Sequence, residues 1–191
     1  MENPIKARKA ALRAQYLQLR GSLSKAQKSA YDAALCRAVA EHPYFQNADL
    51  LLTFCAVRGE VDLSPLLQIA RQRGIKTAFP RCEGTQMLFH VVQTQSELSA
   101  GRFGIPTPCA DAPVARPTAS TLCLLPALAA TRDGLRLGYG GGFYDRFLAD
   151  FKGHTILPLY ELLLAPSLPS EPTDMRAEVM LTEKGVLKFH A

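Results

Sequence analysis

Four glycines set between two arginines and an aspartate are the residues of this chain best placed to do chemistry. The stretch reads Arg136-Leu-Gly138-Tyr139-Gly140-Gly141-Gly142-Phe143-Tyr144-Asp145-Arg146. Glycines this dense forfeit backbone entropy, so the chain there must run free of Cβ atoms for a reason. The usual reason is close approach of peptide N–H groups to an anion such as phosphate. From here on, apolar residues fall at 143, 144, 147, 148 and 151, which is helical spacing. The stretch therefore predicts a glycine-rich loop running into a helix over 143–151, with Asp145 in the first turn. Two standard phosphate signatures are excluded. Gly-x-Gly-x-x-Gly counted from Gly138 meets Phe143, and no Gly-Lys stands at P-loop spacing. A plain turn between strand and helix is the other reading; the flanking arginines and the aspartate favour a phosphate site.

Two further candidates lie earlier. Lys9 and Arg13 are one helical turn apart and can grip an anion together, or they belong to a solvated helix face. Glu60 sits in a loop after an apolar run, where it either meets a ligand or is simply solvated. The five cysteines (Cys36, Cys55, Cys82, Cys109, Cys123) form no Cys-x-x-Cys pair and have no histidine at zinc spacing. They read as free thiols of a reducing cytosol, with Cys55 and Cys123 in apolar runs.

The elements that position these groups follow from periodicity. A helix is predicted over 4–20, its apolar face formed by Ile5, Leu12, Tyr16 and Leu19, with a basic stripe of Lys6, Lys9, Arg13 and Arg20 beside it. Ser24 and Gln27 make a capping box for a second helix that Pro43 ends. The run 50–56 is apolar throughout and predicts a strand buried on both faces, as in a parallel sheet. Ser64 and Pro65 open a helix to Arg73, and strands follow at 77–79 and, weakly alternating, at 87–92. Further strands are predicted at 121–125, 154–159, 179–182 and 186–189, with 109–120 a connector. Helices alternate with strands, so the class is α/β with a mainly parallel sheet.

The 191 residues, 48% hydrophobic and 20% charged, suit one globular domain over 1–191. A net charge of +5 fits an anionic small molecule as well as nucleic acid, but the aromatic signature of an RNA-binding module is missing. No apolar stretch has the length of a membrane span, and the charged N-terminus is no signal peptide. These features predict a cytoplasmic protein that binds neither membrane nor nucleic acid.

The stretch 136–148 resembles the signature of the 5-formyltetrahydrofolate cyclo-ligases, also called methenyltetrahydrofolate synthetases. Other pieces resemble the family in the same order: Lys9-Ala-Ala-Leu-Arg13, Arg58-Gly-Glu60-Val-Asp62, Phe103-Gly-Ile-Pro106, Glu171-Pro-Thr-Asp174 and Met180-Leu-Thr-Glu183. The resemblance implies a three-layer α/β/α fold and a monomer. It implies ATP and Mg²⁺, and turnover of a reduced folate to 5,10-methenyltetrahydrofolate, ADP and phosphate. On that basis Lys9, Arg13, Arg136, Gly138, Tyr139, Gly140, Gly141 and Gly142 bind ATP, and Asp145 and Asp174 hold the metal. Cys55, Glu60, Phe103 and Tyr144 line the folate, and Arg136 and Tyr144 are catalytic. The chain departs from the family pattern at Ala127, Ala130 and Thr131 before the loop, at Thr107 in the turn, at Leu163 after Tyr160, and mildly at Phe143. The alternative reading is a diverged nucleotide-binding paralogue without folate turnover.

Overall fold

The computed structural model describes residues 4–101 and 104–188. Two long helices come first, α1 (Pro4–Gly21) and α2 (Lys25–Glu41), the second opened by the expected Ser24–Gln27 capping box. Pro43 does more than end α2: it starts the single turn α3 (Pro43–Gln46), capped by the His42 side chain. Then follow β1 (Leu50–Leu52), α4 (Pro65–Gln72), β2 (Lys76–Glu83), β3 (Gln86–Val91), β4 (Leu98–Ala100) and β5 (Pro106–Pro108). The second half contains β6 (Leu122–Leu124), β7 (Ala129–Thr131), β8 (Arg136–Leu137), α5 (Phe143–Leu148), β9 (His154–Pro158), β10 (Leu164–Ala165), β11 (Val179–Thr182) and β12 (Gly185–Lys188).

The main sheet has seven strands in the order β12-β11-β9-β6-β1-β2-β3. Its five inner strands are parallel, and β3 and β12 close the edges antiparallel. Leu50–Leu52 and Leu122–Leu124 are buried throughout, as expected of strands covered on both faces. From β1 the chain passes through α4 to β2 on one side, and from β6 through α5 to β9 on the other. Parallel crossovers are right-handed, so α4 and α5 cover opposite faces, giving the three layers. On the α5 side, Phe147 packs against Phe89 of β3 at 4.9 Å between ring centres. The direction of winding reverses between β1 and β6. Past the carboxyl ends of strands at such a reversal, the two loops part and leave a crevice.

Several expectations on boundaries are corrected. The strand predicted over 50–56 ends at Leu52, beyond which the chain leaves the sheet as a loop to Ser64. Ser64 contributes no side-chain cap to α4; Asp62 Oδ1 instead accepts from the Ser64 N–H at 3.0 Å. The helix after the glycines stops at Leu148, not 151. The hairpin β2–β3 is longer and firmer than the sequence suggested. A small sheet, β10-β7-β8, was not foreseen, because strands of two or three residues carry no periodic signal.

Candidate active site

The loop after β1 turns sharply at Arg58 and Gly59, both left-handed with φ of +51° and +78°. The turn folds Glu60 back on its own loop. Its amide donates to Val57 O at 3.0 Å, and its Oε2 accepts from Val57 N–H at 3.0 Å. Glu60 is only 4% exposed, and its Oε1 has no partner. Burial holds this carboxyl above its ordinary value, opposed by the Val57 N–H, the Arg20 charge, the Tyr139 hydroxyl and the Arg58 charge. Glu60 and Cys55 line a cleft of about 500 Å³, walled across by Leu98 of β4 and Pro106 of β5. Burial pushes the Cys55 thiol up to about 11, so it stays protonated and behaves as wall rather than nucleophile. Phe103 lies outside the described residues.

The glycine loop leaves β8, beyond the carboxyl end of β6. Among the described residues, the amide N–H groups of 139–142 donate to no protein acceptor, leaving a run of donors suited to an anion. Gly140 has φ +96°, and a Cβ on it would stand 3.1 Å from the Arg13 guanidinium carbon. Arg13 Nε donates to Gly138 O at 2.8 Å, so the arginine lies flat on the loop. Arg136 is 8% exposed; its Nη2 donates to Asp145 Oδ1 at 2.7 Å and its Nε has no partner. Asp145 Oδ1 also accepts from the Met175 N–H at 3.1 Å, which brings the loop bearing Asp174 alongside. The Arg136 guanidinium lies 5.8 Å from the centre of the Tyr144 ring. The Tyr144 hydroxyl is buried without a partner, and burial holds it well above its ordinary value.

Helix α1 brings the two halves together, though not as its pattern suggested. Lys9, Arg13, Tyr16 and Arg20 fall within about 60° of one another at 100° per residue. This stripe faces inward: Lys9 is 7% and Arg20 3% exposed. The solvated-face reading is therefore wrong for Lys9 and Arg20 and holds for Lys6, which is exposed. Lys9 Nζ donates to both oxygens of Asp174, at 2.7 and 2.9 Å, and to Glu171 Oε2 at 3.0 Å. Burial alone would lower the lysine's proton affinity, but the two carboxylates outweigh it and hold it above the ordinary value. In this arrangement Lys9 is a clamp on the 171–174 loop, and only Arg13 of the pair reaches the glycines. Arg20, read from the sequence only as part of the basic stripe and given no site role there, joins three segments. It donates to Arg58 O at 3.1 Å, to Ala127 O at 3.4 Å and to the Tyr139 hydroxyl at 2.6 Å. Its place in the inward stripe was the available signal.

A sequence model of the 5-formyltetrahydrofolate cyclo-ligase family matches residues 5–183. The chain belongs to this family. The cyclo-ligase of Escherichia coli K12 is 27% identical over 179 residues, covering 90% of this chain and 98% of the relative. That of Mus musculus is also 27% identical, over 94% of this chain and 95% of its own. The solved 5,10-methenyltetrahydrofolate synthetase of Aquifex aeolicus superposes with a TM-score of 0.84 at 28% identity, covering 96% of this chain and 93% of that one.

The positions at which this cyclo-ligase family member departs from the pattern each have a place in the structure. Ala130 is buried opposite Arg136 in the β7–β8 pair, and the Ala127 carbonyl serves Arg20. Thr131 Oγ1 donates to Asp133 Oδ1, with Leu135 O also in reach at 3.3 Å. Thr107 Oγ1 donates to Pro80 O at 3.3 Å, and Leu163 is in the core. Among the described residues no three acidic, histidine or cysteine side chains converge as a metal cage. Asp145 keeps Oδ2 free, whereas both oxygens of Asp174 are taken by Lys9. No helix of the described residues is long and apolar enough to cross a membrane.

Proposed function

We propose that this chain converts 5-formyltetrahydrofolate and ATP to 5,10-methenyltetrahydrofolate, ADP and phosphate. The supporting observation is a set of three buried side-chain atoms without partners: Glu60 Oε1, Arg136 Nε and the Tyr144 hydroxyl. Orphaned buried polar atoms are costly and rare. These three belong to the folate-side loop, the strand entering the glycine loop and the helix leaving it. A substrate spanning cleft and loop accounts for all three by supplying their partners.

A formamide oxygen is a poor leaving group, so it must first be phosphorylated. The formyl oxygen attacks the γ-phosphorus, the bond to the bridging oxygen breaks, and ADP leaves with its electrons. N10 then attacks the activated carbon, the C–O bond breaks, phosphate carries off the formyl oxygen, and N10 loses its proton. Such a transfer needs positioning and charge neutralisation more than a nucleophilic side chain. The free amides of 139–142 and the guanidinium of Arg13 hold the phosphates, and Arg136 neutralises charge from beneath. Glu60, its carboxyl raised by burial, bonds the N–H edge of the pterin beside Cys55, and Tyr144 orients the reacting end. Mg²⁺ fits at Asp145, which offers one free carboxylate oxygen to an ion otherwise held by phosphate and water. Asp174 fits only if Lys9 releases it. When bound, the ion neutralises phosphate charge. The described cysteines are all free, which suits the cytosol, and one chain supplies every group invoked.

The test is formation of the conjugated methenyl product, followed by its ultraviolet absorbance, from 5-formyltetrahydrofolate with ATP and Mg²⁺. An ATP-dependent rise is expected. A flat trace from folded, ATP-binding protein would support the diverged paralogue.

A further inference from the structure

We infer that Arg58 engages the phosphoryl group as it passes from ATP to the folate, an assignment that rests on the proposed cyclo-ligase reading. Arg58 is the only non-glycine among the described residues with positive φ, at +51°. A residue with a Cβ is strained there, and glycine would not be. Backbone strain that persists in a loop signals a demand on the side chain.

The demand is met only in part within the protein, by the Tyr139 ring and by the Arg58 charge acting on the Glu60 carboxyl. Among the described residues the Arg58 guanidinium makes no hydrogen bond and no ion pair, although arginine carries five donors. It rests on the Tyr139 ring, 5.8 Å from its centre, while Arg20 holds the same ring at 5.9 Å. Tyr139 lies within the glycine loop, and two residues beyond Arg58 is Glu60 of the cleft. The guanidinium thus sits on the seam between the free amides of 139–142 and the folate cleft, exposed and pre-positioned by its stack. A group crossing from one to the other is trigonal, anionic and oxygen-rich in transit. A planar donor fork suits it. As the γ-phosphorus parts from the bridging oxygen and bonds the formyl oxygen, Arg58 donates to the oxygens that carry the charge, beside Arg13 and Arg136.

Replacement by glycine separates this role from a structural one. R58G relieves the backbone, so its Tm should hold or rise. Its kcat should fall ~100-fold while the KM for ATP moves only a few-fold, as for loss of a transition-state donor. Added guanidinium ion at tens of millimolar, about the concentration a vacated donor site needs, should restore part of kcat in R58G and none in wild type. R58K keeps charge without the fork and should fall between the two. Undiminished kcat in R58G with no effect of guanidinium would overturn the assignment and leave the cyclo-ligase reading intact. If wild type itself makes no methenyl product, that reading fails and the assignment of Arg58 falls with it, an outcome told apart from the first by the activity of wild type.

Discussion

Replacing Lys9 by methionine separates a structural clamp from a nucleotide contact. Among the described residues the ammonium is the only cation paired with Asp174 and Glu171, at 2.7 and 3.0 Å. It ties α1 to a loop more than 160 residues away in sequence. Methionine preserves the length and packing of the stem but leaves two carboxylates partly dried and facing each other. Breaking a buried ion pair costs about 3–5 kcal/mol. Lys9 and Asp174 side chains are 9% and 15% exposed but Glu171 is 28% exposed, which argues for the low end. At about 2–4 °C per kcal/mol for a chain of this size, a loss of about 3 kcal/mol lowers Tm by about 6–12 °C. The sign of the pH dependence follows from the raised proton affinity of Lys9. Its contribution is complete below the unfolded value, 10.5, and is lost as pH rises through the higher folded one. The Tm difference between wild type and K9M should therefore be steady at neutral pH and shrink only above that value. Thermal unfolding of K9M and of the triple variant K9M/E171Q/D174N checks the cause, because neutralising both carboxylates should recover most of the loss. A K9M protein with unchanged Tm but ATP affinity reduced ~10-fold would refute the clamp and return Lys9 to the phosphates.

Three further outcomes follow from the same geometry. Gly140→Ala forces a Cβ into left-handed backbone and against the Arg13 guanidinium carbon at 3.1 Å, so KM for ATP should rise at least ~10-fold for a stability loss of about 1–2 kcal/mol. Unchanged KM would contradict the cradle. Asp145→Asn keeps shape but removes the charge facing Arg136 and the free oxygen offered to Mg²⁺, and should lower kcat and raise the Mg²⁺ concentration for half-activity. Normal turnover at low Mg²⁺ would exclude the metal role. Glu60, whose carboxyl is raised by burial, adds stability below its unfolded value that is lost as pH rises through the folded one. Urea unfolding should therefore show wild type losing ground to Glu60→Gln between acid and neutral pH, and parallel curves would deny the burial of charge.

The fold was legible where burial imposes a simple pattern. The apolar runs at Leu50 and Leu122 announced covered parallel strands, and Ser24 with Gln27 announced a helix start. The glycine loop was legible because its composition has few uses. What the sequence hid depends on contacts between distant segments. The β7–β8–β10 sheet is held by partners far along the chain, and no window of residues reports them. Arg58 looked like an ordinary loop arginine until its φ was known.

Helix α1 shows why charge patterning misleads. A stripe of Lys6, Lys9, Arg13 and Arg20 beside an apolar face is what solvated amphipathic helices carry, and of these only Lys6 stays exposed at the surface. The structure reverses the pattern for the other three because each meets acceptors from another part of the chain: Asp174 and Glu171 for Lys9, Gly138 O for Arg13, and Arg58 O, Ala127 O and Tyr139 for Arg20. Buried charge is tolerable only when so paired. The pairing makes α1 the element that sets the distance between glycine loop and cleft. A substitution in α1 that spares every proposed ligand contact should therefore still lower kcat, by moving the loop relative to the cleft. Arg20→Met is that substitution: it leaves the Ala127 and Arg58 carbonyls without their donor and frees the Tyr139 ring on which Arg58 rests.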